Sequence, residues 1–154
     1  MQTRPEIAMR RFLLSLAALA ALSSPAFATG GFSCAVKDKN LTLDAEAGFS
    51  YSIGGGLLNF RGAFELPKKL APKGLERVTL TPSHLAHDWL YDGELRLLLH
   101  AETEGDLPFG SVDIIVRTKM TDDETTYDGD YKLILNRADA DSVERTGKVS
   151  CSVG

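Results

Sequence analysis

Three observations predict an all-β fold, a single antiparallel domain of eight or nine strands with at most one short helix. Apolar and polar residues alternate at a period of two along most of the chain, as half-buried strands require. Short clusters of Gly, Asp and Pro punctuate these runs, so successive strands become antiparallel neighbours. The only two cysteines lie in matching settings, Phe32-Ser33-Cys34-Ala35-Val36 and Val149-Ser150-Cys151-Ser152-Val153. A bond between them makes the first and last strands adjacent, which predicts a closed barrel, or a sandwich whose termini share a sheet. A buried parallel sheet is excluded, because its strands read as unbroken apolar runs.

Residues 1–28 read as an export signal. Arg10 and Arg11 precede an apolar run from Phe12 to Leu22, and Ala26-Phe27-Ala28 supplies an A-x-A cleavage site. A run of eleven residues is too short for a transmembrane helix, which needs about 20. The compact Ala/Leu signal looks bacterial, so the expected location is the periplasm, with residues 29–154 as one β domain. There the Cys34–Cys151 bond is the default state.

The first strand of the body carries Cys34. From Leu41 the apolar positions Leu43, Ala45, Ala47, Phe49, Tyr51 and Ile53 alternate with Asp44, Glu46, Ser50 and Ser52, predicting a strand to Ile53. Gly54-Gly55-Gly56 turns the chain into a second arm, with Leu58, Phe60, Phe64 and Leu66 inward and Asn59, Arg61 and Glu65 outward. Leu66 to Gly74 holds two prolines and three lysines and reads as a surface connection. Val78 and Leu80 mark a short strand. Thr81-Pro82 suits the start of a helical turn through Leu85 and Trp89, whereas Asp92-Gly93 is a two-residue hairpin signal and favours a strand from Leu85 to Tyr91.

Leu95, Leu97, Leu99 and Ala101 follow, with Arg96, Leu98 and His100 on the other phase. After Gly105-Asp106-Leu107-Pro108, Val112, Ile114, Val116 and Met120 point inward against Asp113, Arg117 and Lys119. The tip Thr121–Glu124 leads to Tyr127, Tyr131, Leu133 and Leu135. Arg137 to Glu144 reads as a polar loop before a last strand from Thr146 to Val153.

Composition limits the functions. The chain has 154 residues, 44% hydrophobic and 25% charged, with a formal net charge of -4, which excludes disordered and collagen-like classes. Removing the signal takes away three basic residues and one acidic one, leaving 14 Lys+Arg against 20 Asp+Glu. An acidic domain without a basic face is not expected to bind nucleic acid.

The Asp92-Gly93 hairpin places Trp89 opposite Arg96, Tyr91 opposite Glu94, His87 opposite Leu98 and Leu85 opposite His100. Trp89, Tyr91 and Arg96 then share one face, a combination enriched where proteins bind partners. His87 and His100 lie diagonally on that face, but two imidazoles without a third ligand fall short of a zinc site. Asp122, Asp123, Glu124, Asp128 and Asp130 concentrate carboxylates without the spacing of an EF-hand, and read as a solvated acidic edge. No G-x-S-x-G or phosphate-binding Gly loop is present, so no enzymatic activity, metal or cofactor is expected.

In size and strand pattern the domain is similar to small extracytoplasmic β-barrels such as lipocalin-like carriers and periplasmic lysozyme inhibitors, a similarity too general to imply a function. Two functions follow as expectations. The first is a periplasmic binding protein recognising a protein or envelope component through the exposed face of Trp89, Tyr91, Arg96, His87 and His100. The second is a lipocalin-like carrier enclosing a small apolar ligand, which the interior of an eight-stranded barrel has room to hold.

Overall fold

A computed structural model describes residues 30–49 and 56–154. The export signal, Thr29 and the segment from Ser50 to Gly55 lie outside the described residues. Nine strands form one antiparallel sheet: β1 (Gly30–Lys37), β2 (Thr42–Phe49), β3 (Leu57–Glu65), β4 (Arg77–Leu80), β5 (Leu85–Tyr91), β6 (Glu94–Glu102), β7 (Gly110–Met120), β8 (Thr126–Arg137) and β9 (Ala140–Val153). Their order is β4-β3-β2-β1-β9-β8-β7-β6-β5. Among the described residues the only helix is a 3-10 turn, Pro82–His84.

Cys34 and Cys151 are bonded and sit directly opposite each other on β1 and β9. First and last strands are therefore adjacent, as expected, but the sheet is open and the closed barrel is not formed. The closed prediction assumed that every consecutive pair of strands is hydrogen-bonded, and one pair is not. β4 bonds only to β3 and β5 only to β6. Since the strands alternate in direction and β9 is antiparallel to β1, β4 and β5 run the same way. They act as two lengths of one crossing, with the 3-10 turn between them packed against both β3 and β6. Pro82 lacks the N–H that a continuous strand would donate there. Across the remaining seam, the Leu57 N–H donates to Asp88 Oδ2 at 3.3 Å.

The alternation does its expected work inside. Phe32, Val36, Leu43, Phe49, Phe60, Phe64, Leu80, Leu95, Leu99, Ile114, Tyr131, Leu133 and Leu135 belong to one buried cluster drawn from both halves of the sheet. Tight curvature has local causes. A Cβ on Gly62 would lie 2.1 Å from the Asp44 carbonyl oxygen, and one on Gly129 2.1 Å from that of Arg117. Only glycine lets neighbouring strands approach so closely there.

Four expectations are corrected. Leu58 is exposed rather than inward, because Asn59 and Phe60 together oppose Ala47 in a bulge and Asn59 adopts a left-handed φ of 53°, which reverses the phase. Met120 is exposed, since the end of β7 runs past the core. The connection from Leu66 to Gly74 is not wholly superficial: Leu66 is buried as expected, but Ala71 and the following Leu75 also join the core. Arg137 to Glu144 is no loop but the head of a long hairpin, with Arg137 opposite Ala140. Apart from Val143, which packs against the core, residues 138–144 are exposed, so the apolar phase that marks a strand is missing.

Two further contacts brace the ends of the sheet. The Tyr131 hydroxyl donates to Asp38 Oδ2 at 2.7 Å, and Asp38 Oδ1 accepts from the Asn40 and Leu41 N–H groups. This ties the β1–β2 turn to β8. Partial burial would raise the Asp38 pKa, but these hydrogen bonds outweigh it and hold the carboxyl below its usual range.

Candidate functional site

The β5–β6 hairpin has Asp92 and Gly93 at its tip, both at positive φ (52° and 70°). This is the backbone that a two-residue turn of the tight hairpin class requires. The turn sets the register: Tyr91 opposes Glu94, Trp89 opposes Arg96 and His87 opposes Leu98. Beyond His87 the register slips, and Leu85 opposes Leu99 rather than His100. Leu85 is thereby turned to pack against the core.

On the outer face, side chains line up in rows across the strands. Trp89, Arg96, Arg117 and Asp130 form one row; His87, Leu98, Ile115 and Lys132 form the next. A groove of about 310 Å³ opens where β5, β6 and β7 meet. Leu98 and Ile115, opposed and half-buried, lie on its floor, with Trp89 and His87 on one side and Arg96 and Arg117 among its lining. Trp89 is 54% exposed and Tyr91 70%, with ring centroids 6.0 Å apart in an edge-to-face arrangement. Trp89 also belongs to a strand at the margin of the sheet, where large apolar side chains invite association.

The structure thus gathers three of the five expected site residues, His87, Trp89 and Arg96, around one groove. Tyr91 stands beside it against Trp89. His100 is engaged elsewhere: its Nδ1 is 2.6 Å from Asp113 Oδ1 and its Nε2 3.8 Å from Glu102 Oε2. His84 is a local brace, with Nδ1 accepting from the Thr81 N–H at 3.1 Å. Arg96 forms an ion pair with Glu94. Sequence reasoning missed Leu98, Ile115 and Arg117 as parts of the site. The available clue was an apolar residue on the outward phase of two adjacent strands.

The acidic segment from Asp122 to Asp130 is spread along a turn and a strand. Asp123 is committed to the turn, accepting from the Thr126 N–H (2.7 Å), the Thr126 hydroxyl (2.8 Å), the Thr125 N–H (2.9 Å) and the Thr121 hydroxyl (2.9 Å). These bonds, that of the Thr126 N–H foremost, hold its pKa far below the ordinary aspartate range. Among the described residues, no three His, Cys, Asp or Glu side chains converge as a metal site needs.

The lowered pKa values of Asp123 and Asp38 fix a pH dependence. A depressed folded-state pKa contributes stability that is complete above the ordinary value near 3.8 and is lost as pH falls below it. Melting temperature should therefore decline below about pH 4. The gap between wild type and Asp123→Ala should be widest near neutrality and narrow progressively toward pH 2. Thermal melts of both proteins across that range provide the check.

Neither a protein-family model, nor a curated protein, nor a solved structure matches the chain. What the fold and the groove define is an open, curled all-β sheet with an aromatic, arginine-lined groove at one margin.

Proposed function

We propose that this is an exported, non-catalytic binding protein of the periplasm, which recognises a protein or envelope component through the outer face of β5, β6 and β7. The observation that carries the reading is the exposure of Trp89 and Tyr91 on a marginal strand beside an apolar-floored groove. Large aromatics left in water on a small domain are most economically explained by a partner that covers them. Export rests on the signal-like residues 10–28, and the Cys34–Cys151 bond suits an oxidising compartment. Among the described residues no helix is long and apolar enough to cross a membrane. The alternative, a carrier with a ligand inside, draws less support. Phe49, Phe60, Phe64, Tyr127 and Tyr131, which would line such a chamber, are all buried in the same core cluster.

Trp89→Ala should weaken partner binding by about 2 kcal/mol or more, as the loss of an interface anchor does. Its effect on folding should stay within about 0.5 kcal/mol, as for other exposed positions. Capture from periplasmic extract on wild type and mutant, with a melting curve for each, separates the outcomes. Equal capture by both proteins, or an unfolded mutant, rejects the surface as the binding face.

A further inference from the structure

Cross-strand neighbours of like charge repel, and a sheet normally avoids them. Arg96 and Arg117 nevertheless stand directly opposite each other on β6 and β7. Glu94 offsets the first. Among the described residues, the Arg117 guanidinium has no ion pair or side-chain hydrogen bond; Asp130, its neighbour on β8, is taken by Lys148 at 2.7 Å. The groove therefore holds a guanidinium whose five donors await an acceptor, next to an apolar floor and an indole. Its one acidic lining residue, Asp88, alternates to the opposite face of β5 from Trp89 and bonds the Leu57 N–H across the seam. A second groove, beyond the arginine pair, is lined by Glu94, Lys119, Asp128 and Asp130 as well and is of mixed charge. The pattern is that of an interface, an apolar centre with a polar rim.

We propose that this groove receives a carboxylate-bearing segment of a protein partner: an aspartate or glutamate held by Arg117 with Arg96, flanked by an apolar side chain seated on Leu98 and Ile115 against Trp89. The inference rests on the binding-face reading above and names its ligand chemistry. A planar guanidinium fits a carboxylate in two parallel hydrogen bonds. The site is an open trough on the outside of a sheet, which suits a protruding side chain better than a small molecule, since small molecules bind where most of their surface can be enclosed. An anionic bilayer fits poorly. Laid on this face it would bring its headgroups within about one Debye length, roughly 8 Å, of Glu94, Asp128 and Asp130 as well as the arginines.

Trp89 is the sole tryptophan of the chain, so its emission reports the groove directly. A random dodecapeptide display library is panned on the oxidised protein, and synthetic versions of the enriched peptides are titrated while Trp89 emission is followed. Enriched peptides should carry Asp or Glu beside an apolar residue and shift the emission saturably. Replacing that acid by its amide, or making Arg117→Gln, should each weaken binding about tenfold, with no further loss when both are combined. Arg117→Lys, which keeps the charge but not the planar fork, should fall between; it also serves as the test variant if Arg117→Gln does not fold. Peptides that bind equally well as amides, or binding indifferent to Arg117, overturn the carboxylate inference and leave the binding face standing. If neither a peptide nor a phosphatidylglycerol vesicle moves Trp89 emission, both readings fall. A saturable shift with phosphatidylglycerol vesicles but with no peptide overturns the protein partner in favour of lipid.

Discussion

Reduction of the Cys34–Cys151 bond should lower stability by about 2–5 kcal/mol, the chain-entropy value for a loop of this span lying near the top of that range. The two cysteines are separated by 117 residues, so the open chain regains nearly all its freedom when the bond is broken. The native sheet should nonetheless survive at low temperature, because the β1–β9 ladder and the shared core do not depend on the sulfurs. Guanidinium titrations with and without reductant, and of the Cys34→Ala/Cys151→Ala protein, give the stability change. Far-UV circular dichroism at low temperature reports the sheet. An unchanged midpoint would show that the ladder alone restricts the unfolded ensemble as much as the covalent link does. Loss of the β spectrum would show that the bond is needed to hold the two halves together at all.

Phe60→Ala should cost about 3–5 kcal/mol. Phe60 is 1% exposed and lies in the core beside the bulge that turns Leu58 outward. Truncating the ring removes its transfer free energy and leaves a cavity that a sheet braced on both sides cannot collapse. Equilibrium denaturation of Phe60→Ala, with Phe64→Ala as a second core site, checks the value. A loss below about 2 kcal/mol at both sites would mean that the aromatics line a loosely filled chamber. The carrier reading would then displace the binding face as the better account.

Where side chains have one wet and one dry face, the sequence was legible. The Asp92-Gly93 turn identifies the β5–β6 hairpin and its register from Tyr91 to His87. The strands containing Cys34 and Cys151 are placed side by side by the bond expected between the only two cysteines. Legibility failed where that contrast disappears. Residues 138–144 are exposed except for Val143, so their strand reads as loop. Ala71 and Leu75 are buried from a segment whose prolines and lysines advertise a surface path. Openness of the sheet hinged on a single missing pairing, β4 with β5, and a 3-10 turn of three residues leaves no periodic trace. The site was half visible: Trp89, Arg96 and His87 by their hairpin, but not Arg117 and Ile115, which reach the groove only through the pairing of β7 with β6.

The strand order also dictates a timetable. β1 to β4 are a run of neighbouring hairpins, as are β5 to β9, and each run can zip locally as it is made. The two runs share one ladder, Phe32 to Ala35 against Ser150 to Val153, and β9, last in the chain, becomes available after every other strand. Until then the edge of β1 and the apolar faces of both halves have no mate, and the chain carries two half-built sheets. Nascent molecules held close together could exchange halves, β9 of one bonding β1 of another. The slow step of assembly is thus the meeting of the chain's opposite ends, where contact order is highest. A truncation within β9 would remove the hinge between two sheets rather than trim an edge from one.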